Sequence, residues 1–151
     1  MKIFLFLCSL FAFMAFSSSS EAYAQCDVDS LAQVKIMKDL SKNGYRLSKS
    51  YRVQRTCRGC NNFRNYTVIM TKGNTYTLVV LSSEGGAENI IANFKELSGA
   101  VIASNYDDSS KKFYTSITFQ CNRTAPYYLN FLPKDSKSSC GMAFLAFKIT
   151  K

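Results

Sequence analysis

Cys57-Arg58-Gly59-Cys60 is the spacing in this chain that most directly suggests bond-making chemistry. Two thiols separated by two residues form either a small disulfide loop or a redox pair, and the neighbouring Arg55, Arg58 and Arg64 favour a thiolate electrostatically. A thioredoxin-type pair opens a helix within a βαβ unit, whereas Asn61-Asn62 and a strand-like segment follow here. The helix dipole that lowers such a thiol's pKa is therefore missing. The residues read instead as a hairpin tip with Arg58-Gly59 at the turn, the cysteines bridged to each other or one of them to Cys26. Thiol redox chemistry at Cys57 and Cys60 is the alternative. Zinc held by these two and Cys26 lacks imidazole and a fourth ligand. The chain contains no His, which excludes Ser-His-Asp and Cys-His catalysis along with imidazole metal sites. Its carboxylates, Asp27, Asp29, Asp39, Glu84, Glu88, Glu96, Asp107, Asp108 and Asp135, fall mostly in caps and turns. Asp107-Asp108 before Ser109-Ser110 reads as a hairpin loop with too few oxygens for calcium. No catalytic residue, metal or cofactor is expected, and the chain is read as non-enzymatic.

Charge is the second chemical signal. No acidic residue lies between Asp39 and Glu84, while Lys42, Arg46, Lys49, Arg52, Arg55, Arg58, Arg64 and Lys72 all do. Clustered arginine gives bidentate contacts to carboxylate and phosphate, so a polyanion or an acidic protein fits this block. On a regular strand, Arg46 and Arg52 point one way and Lys49 and Arg55 the other, so one patch requires a twist, a bulge or an edge position. The ligand candidates are Arg52, Arg55, Arg58 and Arg64, joined by Tyr114 and Tyr128, the tyrosines that alternation leaves outside the core. With nine Tyr, twelve Phe and no Trp, a glycan platform would rest on tyrosine alone. Nucleic acid is not expected, since no recognised binding motif accompanies the charge.

These residues must be positioned by a chain of 151 residues that is 47% hydrophobic and 19% charged, which is globular in composition. Its first segment reads as an address. Lys2 precedes the apolar run Ile3 to Phe16, then Ser17 to Ser20, and Ala22-Tyr23-Ala24 has the small-x-small pattern of a signal-peptidase site. Residues 1–24 are assigned to a signal peptide and 25–151 to one domain, exported to the periplasm or beyond, with no integral membrane anchor because the run is short. Cleavage removes Lys2, Glu21 and Cys8, so the net charge of +9 is retained. Cys26, Cys57, Cys60, Cys121 and Cys140 remain, an odd set that leaves at least one thiol without an intramolecular partner. Cys121 ends one strand-like run and Cys140 opens another, which makes Cys121–Cys140 the preferred bridge.

Residues 29–43 predict a helix capped by Asp29 or Ser30, with Leu31, Val34, Met37 and Leu40, joined by Ile36, as its apolar stripe and Gly44 as its stop. Beyond Gly44 the period becomes two. Strands are expected at about 45–55, 65–71, 75–81, 89–97, 101–105, 113–121, 127–132 and 142–149, with Tyr76 and Tyr127 on core faces. Eight strands without intervening helices predict an all-β, antiparallel, jelly-roll-like sandwich with one N-terminal helix.

From residue 65 to 149, the cues Gly73-x-x-Tyr76-x-Leu78, Ile91 to Leu97, Gly99-x-Val101, Phe113 to Cys121 and Ala125-x-Tyr127-Tyr128-Leu129 resemble secreted bacterial pre-peptidase C-terminal domains and related jelly rolls. The resemblance implies an exported sandwich that accompanies enzymes or adhesins, or binds on its own. The chain departs from that pattern in its helix, its extra cysteines, its positive charge and its lack of acidic clusters. The sequence thus points to an exported binding or accessory module for an anionic ligand, a glycan or a protein, with a partner or inhibitor of a secreted enzyme as a further alternative.

Overall fold

The computed structural model describes residues 26–55, 63–134 and 140–149. The segment read as a signal peptide, Cys57, Arg58 and Cys60 lie outside the described residues. Helix α1 (Ser30–Lys42) begins where the Asp29 carboxylate accepts the Leu31 N–H at 2.9 Å. It ends in a Schellman turn: the Tyr45 N–H reaches the Leu40 carbonyl and the Gly44 N–H reaches that of Ser41, with Gly44 at φ +78°.

Ten strands follow: β1 (Arg46–Val53), β2 (Tyr66–Met70), β3 (Asn74–Ser82), β4 (Ile90–Lys95), β5 (Val101–Ser104), β6 (Tyr106–Asp107), β7 (Lys112–Phe113), β8 (Ser116–Gln120), β9 (Ala125–Pro133) and β10 (Gly141–Ile149). Eight of them build two four-stranded antiparallel sheets, ordered β1-β10-β3-β8 and β2-β9-β4-β5. Successive strands pass from sheet to sheet except at the β4–β5 hairpin, which is the interleaving of a jelly roll. β6 and β7 form a separate two-residue hairpin, so the run expected at 113–121 is divided.

Alternation decides which side chains fill the core. Tyr51, Val53, Tyr76, Leu78, Val80, Ile117, Ala143 and Leu145 of the first sheet meet Met70, Ile90, Ala92, Phe94, Tyr127, Leu129 and Phe131 of the second. A smaller cluster lies on the opposite face of the first sheet, where Val28 and Leu40 cover Leu81, Phe144 and Ala146. β10 is therefore buried on both faces, which explains its near-continuous apolar sequence Met142 to Phe147.

Two expectations are corrected here. Leu31, Val34 and Met37 are exposed (78%, 51% and 41%), and the covered face of α1 is Ala32, Ile36 and Leu40. A step of three residues turns a helix by about 300°, so a stripe stepped by threes drifts, and Leu31 ends opposite Leu40. Steps of four hold the true face. Cys140 is bridged to Cys26, with Cα atoms 5.8 Å apart, and Cys121 is a free, buried thiol. Cys121 follows β8 and its backbone pairs with Asn74 at the start of β3, whereas Cys140 precedes β10 next to the segment leading into α1. Because Cys26 is consumed in this bridge, it is no third thiolate for zinc.

Candidate functional site

β1 is an edge of the first sheet and β2 an edge of the second, and both lie on the same side of the sandwich. The two edges are joined by aromatic contact: the Tyr51 and Tyr66 rings are 4.6 Å apart between centroids, and the Tyr66 hydroxyl donates to the Arg52 carbonyl at 2.7 Å. Burial raises the pKa of Tyr51 above its ordinary value, with the nearby Tyr66 oxygen adding to the effect. The two rings and the Tyr66–Arg52 hydrogen bond thus tie the two edges together.

The basic block is arrayed around this joint. A bulge between Leu47 and Lys49 shifts the register, so Arg46 pairs with Phe147 and Lys49 with Leu145 on the inward-facing rows, while Arg52 pairs with Met142 on the outward-facing row. The regular alternation expected for these charges is broken by that one extra residue. Since β1 is an edge, Arg46, Lys49 and Arg52 are all exposed whichever face they share. The Lys49 ammonium lies 5.6 Å from the Tyr51 ring centre. Arg55 faces Phe63 across a single antiparallel bridge, and the exposed Arg64 follows it toward β2. Arg52, Arg55 and Arg64 are therefore brought to one side; Lys72 stands beyond the far end of β2.

The tyrosine candidates are not part of this side. Tyr114 is exposed between β7 and β8. Tyr128 is half-buried on the outward face of the second sheet, in register with Thr67 and Lys95. The structure does not unite them with the arginines. Alternation did place Tyr76 and Tyr127 correctly, both in the core.

The remaining polar groups are occupied structurally. Asp107 accepts from the backbone and hydroxyl of Ser109 and the hydroxyl of Ser110, which lowers its pKa to about 2. Asp108 pairs with Lys111 at 2.7 Å. The Cys121 thiol donates to the Arg123 carbonyl at 3.1 Å, and the Tyr127 hydroxyl donates to that same oxygen at 3.0 Å. Among the described residues, no group of three or more acidic or cysteine side chains is arranged to hold a metal ion.

Sequence reading did not find the groove beside α1. About 560 Å³ in volume, it lies between Ala32, Lys35, Ile36 and Asp39 of the helix and Thr77, Val79, Ser116 and Thr118 of β3 and β8. The helix sits over the β10–β3 part of the sheet and leaves the β8 side uncovered. No periodicity in the helix alone shows which strands it will cover.

These features define a jelly-roll sandwich whose β1–β2 side carries exposed arginines. No family model matches the chain, and no curated protein does. Among solved structures, the crystal structure of Aeromonas hydrophila PliG, described as a periplasmic lysozyme inhibitor of g-type lysozyme, aligns with a TM-score of 0.44 at 16% identity. The alignment covers 71% of this chain and 87% of that one.

Proposed function

We propose that this chain is an exported, non-enzymatic binding module that engages an acidic protein partner through the β1–β2 side of the sandwich. The observation that carries the reading is the set of exposed cations Arg46, Lys49, Arg52 and Arg64. None of them is in an ion pair among the described residues, whereas Lys111 and Asp108 pair elsewhere. Structural surface charges are ordinarily interspersed with the opposite sign; here several are left for something else to neutralise. Arginine and tyrosine are also the side chains enriched in protein interfaces, because a guanidinium fork binds carboxylate bidentately and an aromatic ring orders at low entropic cost. The Tyr51–Tyr66 joint holds the two strand edges at fixed separation, so the cations are presented on rigid elements. An exported enzyme held by this module, as by an inhibitor, is one partner of the required kind.

The test is capture of partners from the exported protein fraction, followed by titration of the identified partner against the parent and against Arg52→Glu/Arg64→Glu. The double reversal should weaken binding by roughly tenfold or more, and the parent's affinity should fall with added salt. An affinity indifferent to both would overturn the reading.

A further inference from the structure

We infer that the outward crest of α1 is a docking surface for an anionic phospholipid bilayer. This goes beyond the partner reading and uses a different surface. At about 100° per residue, Leu31, Lys35, Lys38 and Lys42 form one stripe on the side of α1 opposite the buried Leu40. All four are exposed. Val34 and Met37, at half and two-fifths exposure, flank that stripe on the side away from the groove, which is the side toward β1. There the outward-facing row of β1 carries Leu47, 42% exposed. Asp39, the acidic residue within α1, lies on the opposite flank and lines the groove.

Four apolar side chains are thus left in water among three lysines, with no carboxylate on the crest. The charge fits an anionic partner, and the interleaved apolar groups fit one that offers an apolar phase just beneath its charge. A lipid headgroup layer has that construction, and interfacial helices meet it with lysine and apolar residues mixed along their length. Protein interfaces, in contrast, deplete lysine and favour arginine. The two surfaces differ in composition: lysine alone with Leu, Val and Met on α1, and three arginines (Arg46, Arg52, Arg64) to one lysine (Lys49) with Tyr on the β1–β2 side. In the docked state the lysine stems lie along the headgroups with their ammonium groups at phosphate level, while Leu31 and Val34 enter the acyl boundary.

The chain has no Trp, so Val34→Trp supplies a single fluorescent reporter. The test uses exported chain whose N-terminus has been checked by mass spectrometry, so that the apolar run from Ile3 to Phe16 is absent. It is mixed with vesicles of phosphatidylglycerol in phosphatidylcholine or of phosphatidylcholine alone. Co-sedimentation and a blue shift are expected only with the anionic vesicles. Lys38→Gln/Lys42→Gln should weaken partitioning by roughly tenfold or more, and Leu31→Ser should abolish the blue shift. Leu31→Trp serves as the reporter if Val34→Trp fails to fold. Three results would each overturn the inference: no partitioning, partitioning lost on Arg52→Glu/Arg64→Glu and untouched by the α1 changes, or a shift given by an acidic protein and not by vesicles. A partner affinity indifferent to Arg52→Glu/Arg64→Glu, with vesicle binding intact, would count against partner binding at the β1–β2 side alone.

Discussion

Asn105 shows how one polar side chain can hold a backbone together. It is fully buried; its Oδ1 accepts the Ala92 N–H at 2.7 Å and its Nδ2 donates to the Ile90 carbonyl at 3.0 Å. The Asn105 N–H also donates to the Ala92 carbonyl, so the residue prolongs pairing along β4 just beyond β5. Replacing it by Ala strands two buried backbone groups at about 1–3 kcal/mol each. Asn105→Ala should therefore lower stability by about 2–6 kcal/mol in urea unfolding with an unchanged m-value, and a loss under about 0.5 kcal/mol would show that water replaces both bonds. Nothing in Ser104-Asn105-Tyr106-Asp107 announces this role, because Asn beside Ser and Asp reads as turn chemistry. Its importance depends on β4, thirteen to fifteen residues earlier in the chain.

Among the elements, strands were legible and the helix only in part. Alternation placed Tyr76, Leu78 and Val80 inside because a strand buried on one face writes its environment at every second residue. The helix pattern was ambiguous because both Leu31-Val34-Met37 and Ala32-Ile36-Leu40 are apolar, and the extent of the second sheet contact depends on β10 and β3. Disulfide partners were hidden for a similar reason: Cys26 and Cys140 are 114 residues apart in sequence. The same bridge explains how α1 stays in place over a small apolar footprint of Leu81, Phe144 and Ala146. Closing so long a loop restricts the unfolded chain, so reduction or Cys140→Ser should cost about 2–5 kcal/mol. Amide exchange should quicken most in α1, since the bridge ties its leading segment to the sheet. Equal acceleration in α1 and in β3 would mean that the bridge stabilises the molecule globally and does not hold the helix.

At the scale of the molecule, fold and charge make opposite demands. The strand order β1-β10-β3-β8 over β2-β9-β4-β5 buries both centres, and the jelly-roll cues in the sequence turn out to be turn and core positions: Gly73 has φ +87°, while Tyr76, Leu78, Tyr127 and Leu129 are buried. Such residues specify an architecture and leave its ligand open. The cations do the reverse. They contribute nothing to the core, and a net charge of +9 repels itself across a small body. Raising salt from about 0.01 M to about 0.15 M shortens the screening length from roughly 30 Å to about 8 Å, so the melting temperature of the parent should rise over that range. Arg52→Glu/Arg64→Glu should melt higher than the parent at low salt and respond less to added salt. A flat melting temperature in the parent would mean that these charges are already neutralised within the molecule, which would remove the observation on which partner binding rests. A rise that Arg52→Glu/Arg64→Glu diminishes would show that the β1–β2 side carries a stability cost in isolation, and that an anionic surface has charge to relieve when it docks there.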